Sequence, residues 1–244
     1  MARKGDNDPD KWVMAPHTRA KHQILQKYLG AWYPILSRWN GRIVYIDGFA
    51  GRGRYDDGSE GSPQIALRTL LDHGHLDRMK RCEFRFLFIE KNHENAAALV
   101  EELDKFRASY PNWPANVVIE VINSSFDDQM RNVIAMLEEQ KTHLAPTFAF
   151  VDPFGYTRLP MDLLGAIGAT PKSELLINFM VGFVHRFIER EGQQQSIREL
   201  YGLEVDEVLS QLEAGEDTIE QLVAVYERQL AQAASLPYPP VLHG

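Results

Sequence analysis

Ile43-Val44-Tyr45-Ile46-Asp47-Gly48-Phe49-Ala50-Gly51-Arg52-Gly53 is a run of β-branched and aromatic residues that stops on an acid and breaks at once into glycines. The pattern predicts a buried strand feeding a turn. Glycines at 48, 51 and 53 admit positive φ. Lacking Cβ atoms, they also let a ligand lie against the main chain, as a nucleotide-like molecule at a strand-to-helix turn requires. A phosphate-cradling P-loop needs a Gly-Lys-Ser/Thr ending, which is missing here. The dinucleotide fingerprint runs Gly-x-Gly-x-x-Gly directly into a helix. Here the order is Asp-Gly-x-x-Gly-x-Gly, followed by a polar loop with Asp56, Asp57 and Glu60 whose charge opposes a pyrophosphate. A glycine turn without a ligand is the alternative reading of the motif alone.

Outward from this stretch, strand and helix patterns alternate. A helix capped by Thr18 and ended or kinked by Pro34 precedes the strand, with Ile24, Leu25, Tyr28, Leu29 and Trp32 on one face. Ser62 before Pro63 reads as the cap of a crossover helix. Further strands are expected over 84–90, 117–122, 148–152 and 174–180. Helices are expected over 92–106, with Ala97, Val100, Leu103 and Phe106 inward, over 161–167, and after a Ser125/Asp128 capping signature. Such alternation predicts an α/β fold, a Rossmann-like doubly wound parallel sheet of order 3-2-1-4-5. Residues 183–191, 197–201, 205–212 and 218–234 then read as helical. The expected organisation is a flexible arm (1–16), a Rossmann-like domain (17–182) and a helical extension packed on it (183–244).

Composition narrows the class. The chain has 244 residues, 44% of them apolar, enough for one sizeable core. One cysteine, Cys82, excludes an internal disulfide or a Cys-rich zinc site. No apolar run approaches the ~20 residues that span a bilayer, so a soluble, cytoplasmic protein without a membrane partner is expected. The eight histidines show no His-Glu-x-x-His spacing, so no metal is expected. No Gly-x-Ser-x-Gly elbow or Pro-Cys dipeptide points to covalent catalysis. A net charge of −8 means that a nucleic acid or nucleotide would have to meet a local basic patch. Arg52 and Arg54 by the glycine turn, or Arg78, Lys80, Arg81 and Arg85, are the groups available.

In a doubly wound sheet the ligand lies across the carboxyl ends of the strands, where strand order reverses. Those ends carry Asp47, Glu90, Asn123-Ser124-Ser125 and Asp152. Glu90 is placed to accept hydrogen bonds from two ribose hydroxyls, and Asp47 to orient the glycine turn or meet the ligand's other end.

Asp47, Phe49, Gly51 and Gly53 resemble the Asp-x-Phe-x-Gly-x-Gly first motif of S-adenosylmethionine (SAM) dependent methyltransferases. Asp152-Pro153-Phe154-Gly155-Tyr156 resembles the Asp-Pro-Pro-Tyr/Phe motif of amino-methyltransferases, in which a carboxylate and a backbone carbonyl hold the target amine under an aromatic ring. Phe154 replaces the second proline, and Gly155 displaces the aromatic. His17-Thr18, Lys21-His22, Tyr28-Leu29, Gly61-Ser62-Pro63 and Val151-Asp152-Pro153-Phe154-Gly155, taken with the glycine stretch, are similar to the three-Cys-motif partner proteins. That family comprises bacterial and phage proteins of methyltransferase-like fold, named for gene neighbours carrying three cysteines.

These resemblances imply SAM as cofactor, held by Asp47, Gly48, Phe49, Ala50, Gly51, Gly53, Glu90, Lys91, Ser124, Ser125 and Phe126. They imply catalysis by Asp152, Pro153, Phe154 and Tyr156, with Lys21, Arg52 and Arg54 toward the acceptor. That acceptor would be a nitrogen of a nucleobase or other planar amine, and a three-Cys-motif protein encoded nearby would be a partner. A non-catalytic partner-binding protein retaining the fold is the alternative. Ser125 stands where the family's third strand leads to an acid, and the family's terminal β-hairpin after a Pro-rich point like Tyr238-Pro239-Pro240 is not expected here.

Overall fold

The computed structural model describes residues 14–153, 155, 158–215 and 217–235. Five strands form one parallel sheet: β1 (Arg42–Asp47), β2 (Glu83–Glu90), β3 (Val117–Asn123), β4 (Thr147–Val151) and β5 (Glu174–Ile177). Their order is β3-β2-β1-β4-β5, the Rossmann-like doubly wound arrangement expected from the sequence. The order reverses beside β1, so β1 and β4 flank the crevice where such sheets bind ligands.

The pleat divides the core in two. Ile43, Tyr45, Phe84, Phe86, Phe88, Phe148 and Phe150 face α1 (Pro16–Ser37), α2 (Ser62–Leu71) and α3 (His93–Ala108). Val44, Ile46, Ile89, Ala149 and Val151 face α4 (Phe126–Glu139) and α5 (Met161–Gly168). The same second layer takes in α6 (Val181–Phe187), α7 (Gln194–Tyr201), α8 (Val205–Leu209) and α9 (Thr218–Ala233). One face of the sheet is thus aromatic and the other aliphatic. Tyr45 and Phe148 stack at 6.1 Å across β1 and β4.

Several helix ends differ from the local signals. Helix α1 starts at Pro16 in its first turn, with Ala15 rather than Thr18 at the N-cap, and runs through Pro34 to Ser37. Proline at 34 removes the N–H that would satisfy the Gly30 carbonyl. His73 Nε2 meets that carbonyl at 3.0 Å, and the His75 N–H donating to His73 Nδ1 fixes the proton on Nε2. The helix continues because a distant side chain satisfies the orphaned acceptor.

Ser62 is the first residue of α2 rather than its cap, which is Gly61. Helix α3 buries Ala96, Leu99, Leu103 and Phe106, while Ala97 and Val100 are exposed, so its inward stripe lies one residue earlier than expected in the first turns. Asn92 and Ser125 cap α3 and α4 by accepting the N–H groups of Asn95 and Asp128. Strand β5 ends at Ile177, short of Met180, because Met180 caps α6. Of the expected N-terminal arm, residues 1–13 lie outside the described residues. No helix among the described residues is long and apolar enough to cross a membrane.

Candidate functional site

The glycine turn is tied to both neighbouring strands. Gly48 N–H donates to Phe150 O at 2.9 Å, Ala50 N–H to Ile89 O at 3.0 Å, and Gly51 N–H to Glu90 Oε2 at 2.9 Å. Gly51 and Gly53 have φ of +62° and +85°, the left-handed region in which a side chain is strained. A Cβ on Gly53 would lie 2.8 Å from Gln64 Nε2 and from Leu99 Cδ1. The glycines are needed by the turn itself, whatever lies over it.

Glu90 is the anchor. Its second oxygen accepts the Asn92 N–H at 2.7 Å, so each carboxylate oxygen holds one backbone donor and keeps a further lone-pair direction. Beside it opens a cavity of about 810 Å³, lined by Gly48, Phe49, Glu90, Lys91, Asn92, His93, Asn95, Ser124, Ser125, Phe126, Pro153 and Arg158. Such a volume suits a cofactor-sized molecule. Ser124 N–H and the Asn123 side chain both bond Glu90 O, which fixes the β3 end against the β2 end. Ser125 caps α4 and also donates to Asp128, so its hydroxyl is engaged locally.

A second, smaller recess of about 40 Å³ lies on the α1/α2 side of the turn, lined by His22, Phe49, Ala50, Gly51, Gly53, Arg54, Tyr55, Gly61, Ser62, Phe150 and Asp152. Phe49 walls both cavities. Asp152 is not free there. Lys21 Nζ lies 2.6 Å from its Oδ1 and 2.5 Å from its Oδ2, and Asn178 donates to Oδ1 at 2.7 Å.

Polar groups concentrate around this recess. His22 is 6% exposed with Nδ1 unpartnered among the described residues. Burial lowers its pKa to about 4, Asp152 pulling the other way and Lys21 adding to the depression, so the imidazole is neutral. Asp47 is fully buried. Phe49 N–H donates to its Oδ1 at 3.3 Å, and Oδ2 has no partner among the described residues. Burial raises its pKa to about 7, with Asp152 and Glu90 adding to the rise and the Ser62 hydroxyl and Phe49 N–H opposing it. Gln64, fully buried beneath the turn, has neither amide atom partnered among the described residues. Burial pushes the nearby Tyr55 phenol up to about 12, with Asp152 and Asp47 contributing.

The arginines expected over the site are held within the protein. Arg52 pairs with Asp56, and Arg54 bonds Glu102 at 2.7 Å and Gly58 O at 2.7 Å. Glu60 is likewise held by Arg68 at 2.6 Å, so two of the loop's acids are matched by arginines. Lys80 and Arg85 pair with Asp77, Glu83 and Glu120 around the start of β2, at the opposite edge of the sheet. Phe154 and Tyr156 lie outside the described residues, while Gly155 has φ of +108° and donates to Met180 Sδ at 3.3 Å.

Sequence reasoning missed Asn92, His93, Asn95 and Arg158 in the larger cavity, and His22, Tyr55 and Asn178 around Asp152. Asn92 follows a strand-end acid as a helix cap and was within reach of the strand-edge rule. Arg158, with φ of +62° in a loop, carries no periodic signal.

No protein-family profile matches the chain, and no curated protein sequence does. Among solved structures it is similar to "Putative methyltransferase yhhF from Escherichia coli", at 16% identity and a TM-score of 0.35. The match covers 63% of this chain and 63%, less than two thirds, of that one.

Proposed function

We propose that the chain binds SAM across the carboxyl edge of its sheet and transfers the methyl group to an amine nitrogen. The observation that carries this is the cavity of about 810 Å³ opening beside Glu90 and the turn after β1, at the topological switch point. In this reading the adenosine lies in that cavity, with its ribose on Glu90, between Phe49, Lys91, Ser124, Ser125 and Phe126. The methionine end passes Gly48, Ala50, Gly51 and Gly53 toward Asp47 and the second recess. Asp47, Glu90 and Asp152 form an acidic edge that favours a ligand carrying a sulfonium and an ammonium over a pyrophosphate.

SAM supplies an activated methyl group when bound. The chain's own part is to orient it, exclude water and hold the acceptor nitrogen in line. Asp152, after β4 and before Pro153, is the group that grips that nitrogen in this reading, which its resemblance to the acid of the Asp-Pro-Pro-Tyr/Phe motif of amino-methyltransferases supports. Titration calorimetry with SAM and with its demethylated product is the test. Saturable heat with both is expected, and a folded sample giving none with either removes the reading.

Occupation of Asp152 by Lys21 favours a second reading, a partner-binding protein that keeps the fold without turnover. It predicts SAM binding without label reaching DNA, RNA, protein or small molecules.

A further inference from the structure

We infer that Lys21 is itself a methyl acceptor, a modification site built into the same centre. The inference rests on the SAM reading above and deepens it.

Its ground is the position of one primary amine. Lys21 and Asp152 are 131 residues apart in sequence, yet Nζ lies within hydrogen-bond distance of both carboxylate oxygens. The carboxylate belongs to the residue after β4, at the carboxyl edge where the sheet binds ligands. It faces the recess that shares Phe49 with the larger cavity. The carboxylate that would hold an acceptor nitrogen, if the donor lies across the edge, thus already holds this amine.

Its holder is rigid. Helix α1 is pinned to the aromatic face of the sheet by Leu25, Leu29, Trp32 and Tyr33, all buried, so Lys21 cannot drift away with its helix. Asn178 at the end of β5 fixes the carboxylate from the other side. A nucleophile tethered in this way reacts as if at very high local concentration. Lys21 is 23% exposed and Asp152 16%, so the pair is sheltered from bulk water without being sealed. The adjoining His22 imidazole, with Nδ1 unpartnered among the described residues, is kept neutral by burial and brings no second cation against the ammonium.

The step balances. The Lys21 ammonium passes one proton to the Asp152 carboxylate, and the freed lone pair attacks the methyl carbon of the sulfonium. The N–C bond forms while the C–S bond breaks, its electron pair going to sulfur. A secondary ammonium and a neutral thioether result, and Asp152 returns its proton to solvent. A simple strut between α1 and the end of β4 would make the same ion pair but would never carry a methyl group.

The test uses the full chain and SAM alone. Binding is measured by calorimetry, and the same sample, after prolonged incubation, is digested and its peptides weighed. The expected result is a gain of one or more methylene masses on the peptide containing Lys21, absent from other lysine peptides and from Lys21→Arg, and lost in Asp152→Asn. SAM binding with Lys21 unmodified overturns the inference and leaves the pair a strut. Methyl groups spread over exposed lysines such as Lys27 and Lys172 also overturn it. Absence of heat with SAM is a different failure, since it removes the SAM reading itself and this inference with it.

Discussion

Replacing Glu90 by alanine attacks the turn and the proposed cofactor grip together, and the geometry separates the two losses. The carboxylate accepts Gly51 N–H at 2.9 Å and Asn92 N–H at 2.7 Å. Hydrogen bonds to a charged acceptor contribute about 1.5–3 kcal/mol each. Water can take over the exposed Asn92 donor but less readily the part-buried Gly51 donor, so a stability loss near the value of one bond, ~2 kcal/mol, is expected. For a chain of this size that lowers Tm by roughly 4–8 °C.

Binding carries a further loss of about 1–3 kcal/mol, or roughly 5- to 150-fold in Kd for SAM, because ribose hydroxyls would face no acceptor. Glu90→Gln keeps one acceptor oxygen and should lose about half the stability while still weakening SAM. Urea unfolding and calorimetry read the two quantities independently. Wild-type stability in both variants would refute the anchoring role. A fall in stability with unchanged Kd, measured on folded protein, would refute the ribose role.

Asp47, with its folded pKa raised from 3.8 to about 7, adds stability that is fully present below about pH 4 and lost as pH rises through 7. Asp47→Asn should therefore flatten the decline between pH 4 and 8, worth on the order of 4 kcal/mol, and an unchanged slope in urea midpoints would show that the carboxyl is not desolvated. His22 acts in the opposite sense: its pKa falls from 6.5 to about 4, so stability is lost as pH drops below 6.5. His22→Gln should remove that acid limb, and nuclear magnetic resonance should find the imidazole still neutral at pH 5.5 in the wild type. Gly51→Val forces a β-branched residue to φ of +62°, which costs at least 1–2 kcal/mol and should abolish SAM binding, whereas full retention of both would mean that the turn relaxes freely.

The sheet was legible because apolar strands alternating with helices leave few right-handed arrangements. Of the residues that the strand-edge rule named, Glu90, Ser124 and Ser125 line the larger cavity, Asp152 lines the smaller recess and Asp47 is buried. What failed were features decided by partners remote in sequence. Pro34, expected to end or kink α1, does not end it, because His73 satisfies the carbonyl that proline leaves bare. Ser62 does not cap α2, because the glycine before it takes the cap and its hydroxyl acts on Asp47 instead. Local chemistry gave each residue's capability, and the fold decided which partner used it. The same holds for Lys21: a lysine 131 residues away from Asp152 has no local signature of meeting it.

Charge at the carboxyl edge connects these observations. Asp47, Glu90 and Asp152 terminate or follow three adjacent strands, and the latter two both raise the pKa of Asp47. The arginines of the glycine turn and of α2 do not offset this, because Arg52, Arg54 and Arg68 are matched to Asp56, Glu102 and Glu60. The compensation comes from Lys21 on Asp152 and from backbone donors on Glu90, while one Asp47 oxygen has no partner among the described residues. An edge built in this way favours a cation over an anion. Phe49 lines both cavities, so the two lie on either side of one side chain of the glycine turn. The chain's net charge of −8 thus matters less than where its paired and unpaired acids stand.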